Sequence, residues 1–313
     1  MPGLAARRGR MLLLSTLACV LALAAAQRAT AESGNGGAVE TQRATGVIVF
    51  DTSEGGETPR IYVVRPDGSN LHQLAGTGEG AFLPRLSPDG RRVAYVSAAT
   101  GTEEIYVIGL GGRGKRQVTH GEAFSNFAPS FSPDGSRIAF SRCSHFLGTC
   151  DIAVIGVDGQ GLHTVAGGHW HHNDPVYSPD GRSIAFGSDQ GGFDGVVRIV
   201  PAAGGAARPV SPVRLAGGRP DWSSDGRWIT YTGNLRHGQT FRSHPDGSHL
   251  QVISQVGDEL IFAAFSPDGR MLVAENAGAP RRGLMLMNAD GSGKRPIPHL
   301  PAGAGFPDWG VLR

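Results

Sequence analysis

The chain has 313 residues, of which 48 are glycine and 20 are proline, about twice the average share of these two residues. So many helix-breaking residues exclude a helical bundle. Charged residues make up 18% of the chain and hydrophobic residues 40%, which provides for a buried core and excludes a disordered acidic protein or a multispan membrane protein.

The net charge of +2 comes from the N-terminus. Residues 1–31 contain four arginines and no acidic residue, so the chain without them carries a net charge of −2. A chain without net positive charge has no long-range attraction for phosphates. We therefore expect no nucleic-acid partner.

The first 31 residues have the pattern of a secretory signal peptide. A basic cluster precedes an apolar run from Met11 to Ala26, and small residues at Ala29 and Ala31 fit a cleavage site before Glu32. The run is shorter than the roughly 20 residues that span a bilayer, so an uncleaved anchor is the less favoured interpretation. A twin-arginine signal and lipidation at Cys19 remain as variants. The sequence predicts an exported chain, periplasmic or extracellular, with no transmembrane segment after cleavage.

Cleavage would leave two cysteines, Cys143 and Cys150. They lie between the apolar segments 138–140 and 152–154, which have the pattern of two strands of one hairpin. In an oxidising compartment such a pair forms a disulfide. The sequence predicts a Cys143–Cys150 bridge across the hairpin loop, with two free thiols as the alternative.

A tetrapeptide recurs along the chain and sets its period. Ser-Pro-Asp-Gly begins at residues 87, 132, 178 and 266, and Ser-Ser-Asp-Gly begins at residue 223, so the spacing is 43 to 46 residues. Each copy separates two short apolar segments. Proline presets φ, aspartate bonds to its own backbone and glycine takes the left-handed conformation, so each copy predicts a hairpin turn. The structural turn residues are Asp89, Gly90, Asp134, Gly135, Asp180, Gly181, Asp225, Gly226, Asp268 and Gly269.

Two more apolar segments, separated by a second glycine-containing turn, follow each hairpin. Four short antiparallel strands at this period are typical of a propeller blade. The chain enters this pattern at Val47 without a first strand, and the missing strand matches Gly305–Trp309, which is similar to Gly218–Trp222. We therefore predict an all-β, six-bladed β-propeller over residues 47–313. The C-terminal strand joins the N-terminal blade and closes the ring, which removes two exposed sheet edges.

One position of the predicted inner strands carries large apolar side chains, which we expect to pack between neighbouring blades. These residues are Leu86, Phe131, Tyr177, Trp222, Phe265 and Trp309.

The repeats resemble the TolB-type beta-propeller repeat, a relative of WD repeats, over residues 47 to 310. The resemblance rests on the tetrapeptide in register with the strands, and it implies the fold. In TolB the propeller engages a peptidoglycan-associated lipoprotein, so the resemblance also implies an envelope protein as partner. We expect the propeller itself to be monomeric. TolB carries an α/β domain before its propeller, whereas we expect residues 32–46 to form a polar linker too short for one.

The sequence has no recognisable catalytic motif. Gly-x-Ser-x-Gly and P-loop patterns do not occur, and Gly109–Gly114 matches a dinucleotide-binding pattern only formally, because it lies in a turn between strands. We expect a non-enzymatic protein without a cofactor. A metal-dependent hydrolase or lyase, or a propeller that binds a small ligand or saccharide, remains as the alternative.

Topology places most histidines at one end of the propeller. The turns between second and third strands and the connections between blades share this end, which we call the top face, and seven of the eleven histidines fall there. Imidazoles and a carboxylate near a channel mouth can also bind a transition metal. We predict, on position alone, partner binding by His169, Trp170, His171, His172 and Asn173. If a metal binds, we expect its ligands to be His169, His171, His172 and Asp174.

Overall fold

The structure is a computed structural model that describes residues 44–52, 58–189, 195–210, 218–233, 238–255, 257–278 and 282–312. The predicted signal peptide, residues 32–43 of the predicted linker and His237 lie outside these residues. No helix in the described ranges is long and apolar enough to cross a membrane.

The described residues form 24 β-strands in six antiparallel sheets of four. The strands are β1 (Val47–Thr52), β2 (Arg60–Val64), β3 (His72–Gln73), β4 (Ala81–Leu86), β5 (Arg92–Ser97), β6 (Glu104–Gly109), β7 (Arg116–Gln117), β8 (Phe124–Phe131), β9 (Arg137–Ser144), β10 (Cys150–Gly156), β11 (His163–Ala166), β12 (His172–Tyr177), β13 (Ser183–Ser188), β14 (Val196–Pro201), β15 (Arg208–Pro209), β16 (Gly218–Trp222), β17 (Ile229–Gly233), β18 (Gln239–Ser243), β19 (Gln251–Val252), β20 (Leu260–Phe265), β21 (Met271–Asn276), β22 (Gly283–Asn288), β23 (Arg295–Pro296) and β24 (Ala304–Gly310).

Each sheet is one blade of a six-bladed propeller, as the sequence predicts. Blade 1 consists of β24, β1, β2 and β3, and blades 2 to 6 each take the next four strands of the chain from β4 to β23. The inner strands β24, β4, β8, β12, β16 and β20 contact one another in this order, and β20 contacts β24. The six sheets therefore form a closed ring.

The ring closes by pairing the two ends of the chain within blade 1. Val47 lies opposite Gly310 and Thr52 lies opposite Ala304 in the antiparallel β1–β24 ladder. The indole N–H of Trp309 also donates a hydrogen bond to the carbonyl of Thr45, at 2.9 Å. The predicted composite blade is confirmed.

The tetrapeptide turns depend on their serine as well as on proline, aspartate and glycine. In the first copy the Ser87 hydroxyl donates to Asp89 Oδ1 at 2.5 Å and accepts from the N–H of Arg92 at 2.9 Å. Gly90 has a φ of +68° and donates its N–H to the Ser87 carbonyl. The other four copies repeat these contacts. The serine hydroxyl thus joins both strands of the hairpin to its turn.

Six apolar clusters, one between each pair of adjacent blades, form the core. The large inner-strand side chains occupy them as predicted: Phe131 packs with Ala94 and Val96 of the preceding blade, and Tyr177 packs with Ala139 and Ile152. Because every blade uses both faces, the core is distributed around the ring.

Deleting residues 305–313 is expected to remove almost all of β24 and to expose the edges of β1 and of the clusters on either side of blade 1. We expect the melting temperature to fall by more than about 10 °C, since each kcal/mol lost shifts it by roughly 2–4 °C in a domain of this size. Thermal unfolding followed by circular dichroism measures the shift. Deleting only residues 312–313, beyond β24, serves as the control, and equal melting of both truncations would contradict the closure.

Candidate functional site

Every inner strand contains a β-bulge at the same repeat position. The ladder to the second strand of the blade shifts register there, and the residue at the bulge has a positive φ although it is not glycine. A bulge bends the strand and redirects a side chain. The residues are Leu83 (φ 51°), Ala128 (50°), Asp174 (50°), Arg219 (47°), Phe262 (53°) and Phe306 (49°).

In four blades a side chain of the preceding blade holds the bulge. The second strand of that blade supplies an oxygen that accepts the bulge N–H. The acceptor and donor pairs are Asp51 with Leu83 (2.6 Å), Ser141 with Asp174 (3.1 Å), Thr232 with Phe262 (2.8 Å) and Glu275 with Phe306 (3.2 Å). The equivalent positions in the other two blades are Val96 and Gly187, which have no side-chain acceptor.

The bulge residues form the upper layer of the central channel. The Arg219 guanidinium carbon lies 4.9 Å from the ring centre of Phe306, and the same side chain donates to the Phe306 carbonyl at 3.1 Å. Phe262 stacks on Phe306 with ring centres 4.8 Å apart. Arg219 on blade 5 therefore reaches past blade 6 to blade 1.

We call the residues two positions after each bulge the lower layer: Arg85, Ser130, Val176, Asp221, Ala264 and Asp308. Its polar centre is Arg85. One guanidinium nitrogen of Arg85, Nη1, donates to Asp308 Oδ1 at 2.9 Å and lies 3.6 Å from Asp221 Oδ1. Asp308 lies on the adjacent blade 1 and Asp221 on the opposite blade 5, so Arg85 links three blades.

Both aspartates are also tied to the backbone of the next blade. Asp308 Oδ2 accepts the N–H of Leu86, and Asp221 Oδ2 accepts the N–H of Phe265, each at 2.7 Å. Ser130 makes the corresponding contact with the N–H of Tyr177 at 3.4 Å. These bonds alternate around the ring, from blades 1, 3 and 5 to blades 2, 4 and 6.

Burial shifts the pKa values of the channel acids. It raises the pKa of Asp221 to about 7, although the charge of Arg85 acts in the opposite direction. Burial also raises the pKa of Asp51 to about 7, against the hydrogen bond from Leu83, and Asp51 Oδ1 has no hydrogen-bond partner among the described residues. Burial lowers the pKa of Arg219 to about 10, and the charge of Arg85 adds to that shift.

A cavity of about 290 Å³ lies between the lower layer and the tetrapeptide turns. Arg85, Asp221 and Asp308 line it together with Ser87 and Tyr177. The cavity therefore opens at the end of the channel opposite the top face, which we call the bottom face.

The predicted top-face residues point in different directions. His169 and Asn173 are exposed, and Trp170 retains 37% of its surface. His172 is only 3% exposed and packs edge-on against Phe186, with ring centres 5.1 Å apart. Its burial lowers the pKa of the imidazole. Alternation along β12 explains the difference, because neighbouring residues of a strand face opposite sides.

The proposed metal ligands are not brought together. Asp174 belongs to the upper layer, His172 lies inside blade 4, and His171 Nδ1 lies 3.6 Å from Cys150 Sγ. Among the described residues, no three His, Cys, Asp or Glu side chains form a group that could hold a metal ion. Metal binding stays a prediction, and the described residues offer no site for it.

The sequence analysis predicted the hairpin loop between Cys143 and Cys150 but missed its two exposed apolar residues. Cys143 and Cys150 are directly paired on β9 and β10 and form the predicted disulfide, which closes the loop of residues 144–149. Within this Cys-closed loop, Phe146 is 85% exposed and Leu147 is 75% exposed. Two adjacent large apolar residues between paired cysteines were the available signal.

The segment that carries Trp170 lies beside this loop. The Cys150 N–H donates to the Trp170 carbonyl at 3.1 Å, and the His171 N–H donates to Asp189 at 2.8 Å. We call Phe146 and Leu147 the apolar patch. Backbone bonds and the disulfide fix the base of both segments.

The fold and its layered channel define a six-bladed propeller with blades of WD-like topology. The chain matches the TolB beta propeller domain over residues 34–313 and belongs to that family. Among curated relatives, the Protein TolB homolog of Chlorobium luteolum is 27% identical over 268 residues, covering 85% of this chain and 60% of the relative. The Tol-Pal system protein TolB of Bordetella pertussis is 34% identical over 137 residues, covering 44% of this chain and 31% of the relative.

Solved structures show the same fold. TolB from Acinetobacter baumannii superposes with a TM-score of 0.73 at 21% identity, covering 85% of this chain and 67% of that chain. The chain spans less than two thirds of the length of the curated relatives it matches.

Replacing Thr232 by valine is expected to destabilise the propeller by about 1–3 kcal/mol, because the Phe262 N–H then loses its acceptor. Urea unfolding measures the change. Thr164→Val, at an exposed position of β11, is the control. Equal effects of the two substitutions would show that the bulge bond contributes nothing.

The free energy of unfolding is expected to fall as pH rises from about 4 to about 7. Asp51 and Asp221 keep a proton over this range in the folded state, whereas they lose it near pH 3.9 in the unfolded chain. The charges of Arg85 and Asp308 act on Asp221, and those of Arg219, Glu275 and Arg282 act on Asp51, but burial outweighs them and raises both pKa values.

Urea unfolding at several pH values tests this. The double variant Asp51→Asn, Asp221→Asn should flatten the decline, while Asp225→Asn, at an exposed turn, should leave it in place. If the free energy of unfolding of the double variant fell with pH at an unchanged slope, groups other than Asp51 and Asp221 would cause the decline.

Proposed function

We propose that the protein is an exported, non-enzymatic propeller that binds another protein of the cell envelope through its top face. The observation that carries the proposal is the apolar patch on the Cys-closed loop. Large apolar side chains that remain exposed in a rigid frame favour association, since each Å² removed from water contributes roughly 25 cal/mol.

The loop is built to bind without a large loss of entropy. The disulfide and the β9–β10 pairing limit the conformations of residues 144–149 before any partner arrives. Preorganisation of this kind raises affinity because less ordering remains to occur on binding. Trp170 adds an aromatic side chain of the type enriched at the energetic centres of interfaces.

Three of the predicted partner-binding residues, His169, His171 and Asn173, are exposed and lie close to Trp170 in the chain. The Trp170 carbonyl accepts the N–H of Cys150 at the base of the Cys-closed loop. His172 supports the segment from inside blade 4 through its contact with Phe186. A patch of apolar side chains with a polar rim has the composition of a protein-binding surface.

Two observations support export and an envelope partner. Disulfides persist in oxidising compartments, and Cys143–Cys150 is such a bond. Family membership adds the relative named as a Tol-Pal system protein.

The test is cross-linking capture from envelope extract with the full-length chain and the double variant Phe146→Ser, Leu147→Ser. We expect one dominant partner that the variant loses by at least about tenfold, which corresponds to 1.4 kcal/mol. The captured proteins are quantified by mass spectrometry.

Leu162→Ser is the matched control. Leu162 is an exposed leucine of the same blade, but it lies in the β10–β11 turn at the bottom face. Loss of the partner with Leu162→Ser, but not with the loop variant, would move the interface to the bottom face and contradict the proposal.

A further inference from the structure

We propose that the cavity below the lower layer binds a free α-amino acid as its zwitterion, with the carboxylate on Arg85 and the ammonium on Asp221. This site is separate from the top-face interface. It lies at the other end of the channel and uses none of the residues of the apolar patch.

Arg85 has hydrogen-bonding capacity that the protein does not use. A guanidinium carries five N–H donors. Among the described residues, Arg85 makes one hydrogen bond, from Nη1 to Asp308. A ligand carboxylate suits a guanidinium, because two parallel N–H bonds match its two oxygens.

Asp221 can accept a further donor. Its Oδ2 accepts the N–H of Phe265, whereas Oδ1 is ion-paired with Arg85 Nη1 at 3.6 Å, beyond hydrogen-bond distance. A ligand ammonium would donate a charge-assisted hydrogen bond to Oδ1. Each oxygen of Asp308 already accepts one hydrogen bond, one from Arg85 and the other from Leu86.

The distance between the two groups selects the ligand class. Arg85 Nη1 and Asp221 Oδ1 are separated by 3.6 Å, so the ligand must carry its two charges close together. In an α-amino acid a single carbon joins ammonium and carboxylate. The positive charge of Arg85 would repel a simple amine, and the negative charges of Asp221 and Asp308 would repel a simple carboxylic acid.

The size and walls of the cavity agree with this class. Its volume of about 290 Å³ lies just below the range for drug-sized ligands and suits a smaller molecule. Val176, Tyr177 and Trp309 provide apolar surface for a side chain, while the hydroxyl-bearing Ser87 and Ser130 line the remainder.

Isothermal titration calorimetry of the full-length chain at about pH 8.5 tests the proposal with alanine and leucine as probes, because Asp221, with a pKa of about 7, is then ionised while the amino acids are still zwitterions. N-acetylalanine lacks the ammonium and alaninamide lacks the carboxylate. We expect at least one amino acid to bind, and both capped alanines to bind at least about tenfold more weakly than alanine. No heat from either amino acid up to about 10 mM, or equal affinity for the capped forms, would overturn the proposal.

Asp221→Asn should weaken amino-acid binding at least about tenfold. Asp51→Asn is the matched control, because Asp51 is a similarly buried carboxyl that accepts a next-blade N–H but does not line the cavity. If both variants lost the same amount of affinity for the amino acid, the loss would come from a less stable ring and the proposed site would be wrong. If Asp221→Asn does not fold, the comparison of alanine with its capped forms on the unaltered chain decides.

Discussion

The pairing of β24 with β1 is the constraint on which the rest of the structure depends. Each blade buries side chains against both neighbours, and the apolar cluster between blades 6 and 1 includes Ala304 and Trp309 of β24, so this cluster is complete only when the ring is closed. The same closure sets the channel, since Asp308 and Phe306 reach their partners on blades 2, 5 and 6 only from a paired β24. Stability and the candidate sites therefore share one structural origin.

The inner strands combine regular pairing with one repeated irregularity. A bulge places a non-glycine residue at positive φ in every blade, an arrangement that costs energy and persists only when its surroundings hold it. Oxygens from the preceding blade supply that support at four of the six positions. The bulges direct two layers of side chains into the channel, and the lower layer gathers Arg85, Asp221 and Asp308 at the cavity.

The sequence predicted the architecture because its signals are local and repeated. The tetrapeptide specifies a turn through its own residues, and the repeated large apolar position follows from the alternation of a strand. The channel was harder to predict from the sequence. Leu83 and Phe262 carry no local sign of a positive φ, and the Arg85–Asp221 contact joins opposite blades. Asp221 and Asp308 did share a Pro-Asp-Trp motif, which was a usable signal. At the top face, position alone did not distinguish the buried His172 from its exposed neighbours.

Native-state hydrogen exchange of the β24 amides tests the ring closure most directly. A closed ring predicts that the hydrogen-bonded amides of Ala304–Gly310 exchange only through global unfolding, with the same free energy as those of β13 in the opposite part of the ring. Exchange of the β24 amides through a local opening, several kcal/mol below that of β13, would contradict the account, since the terminal strand would then be a peripheral addition.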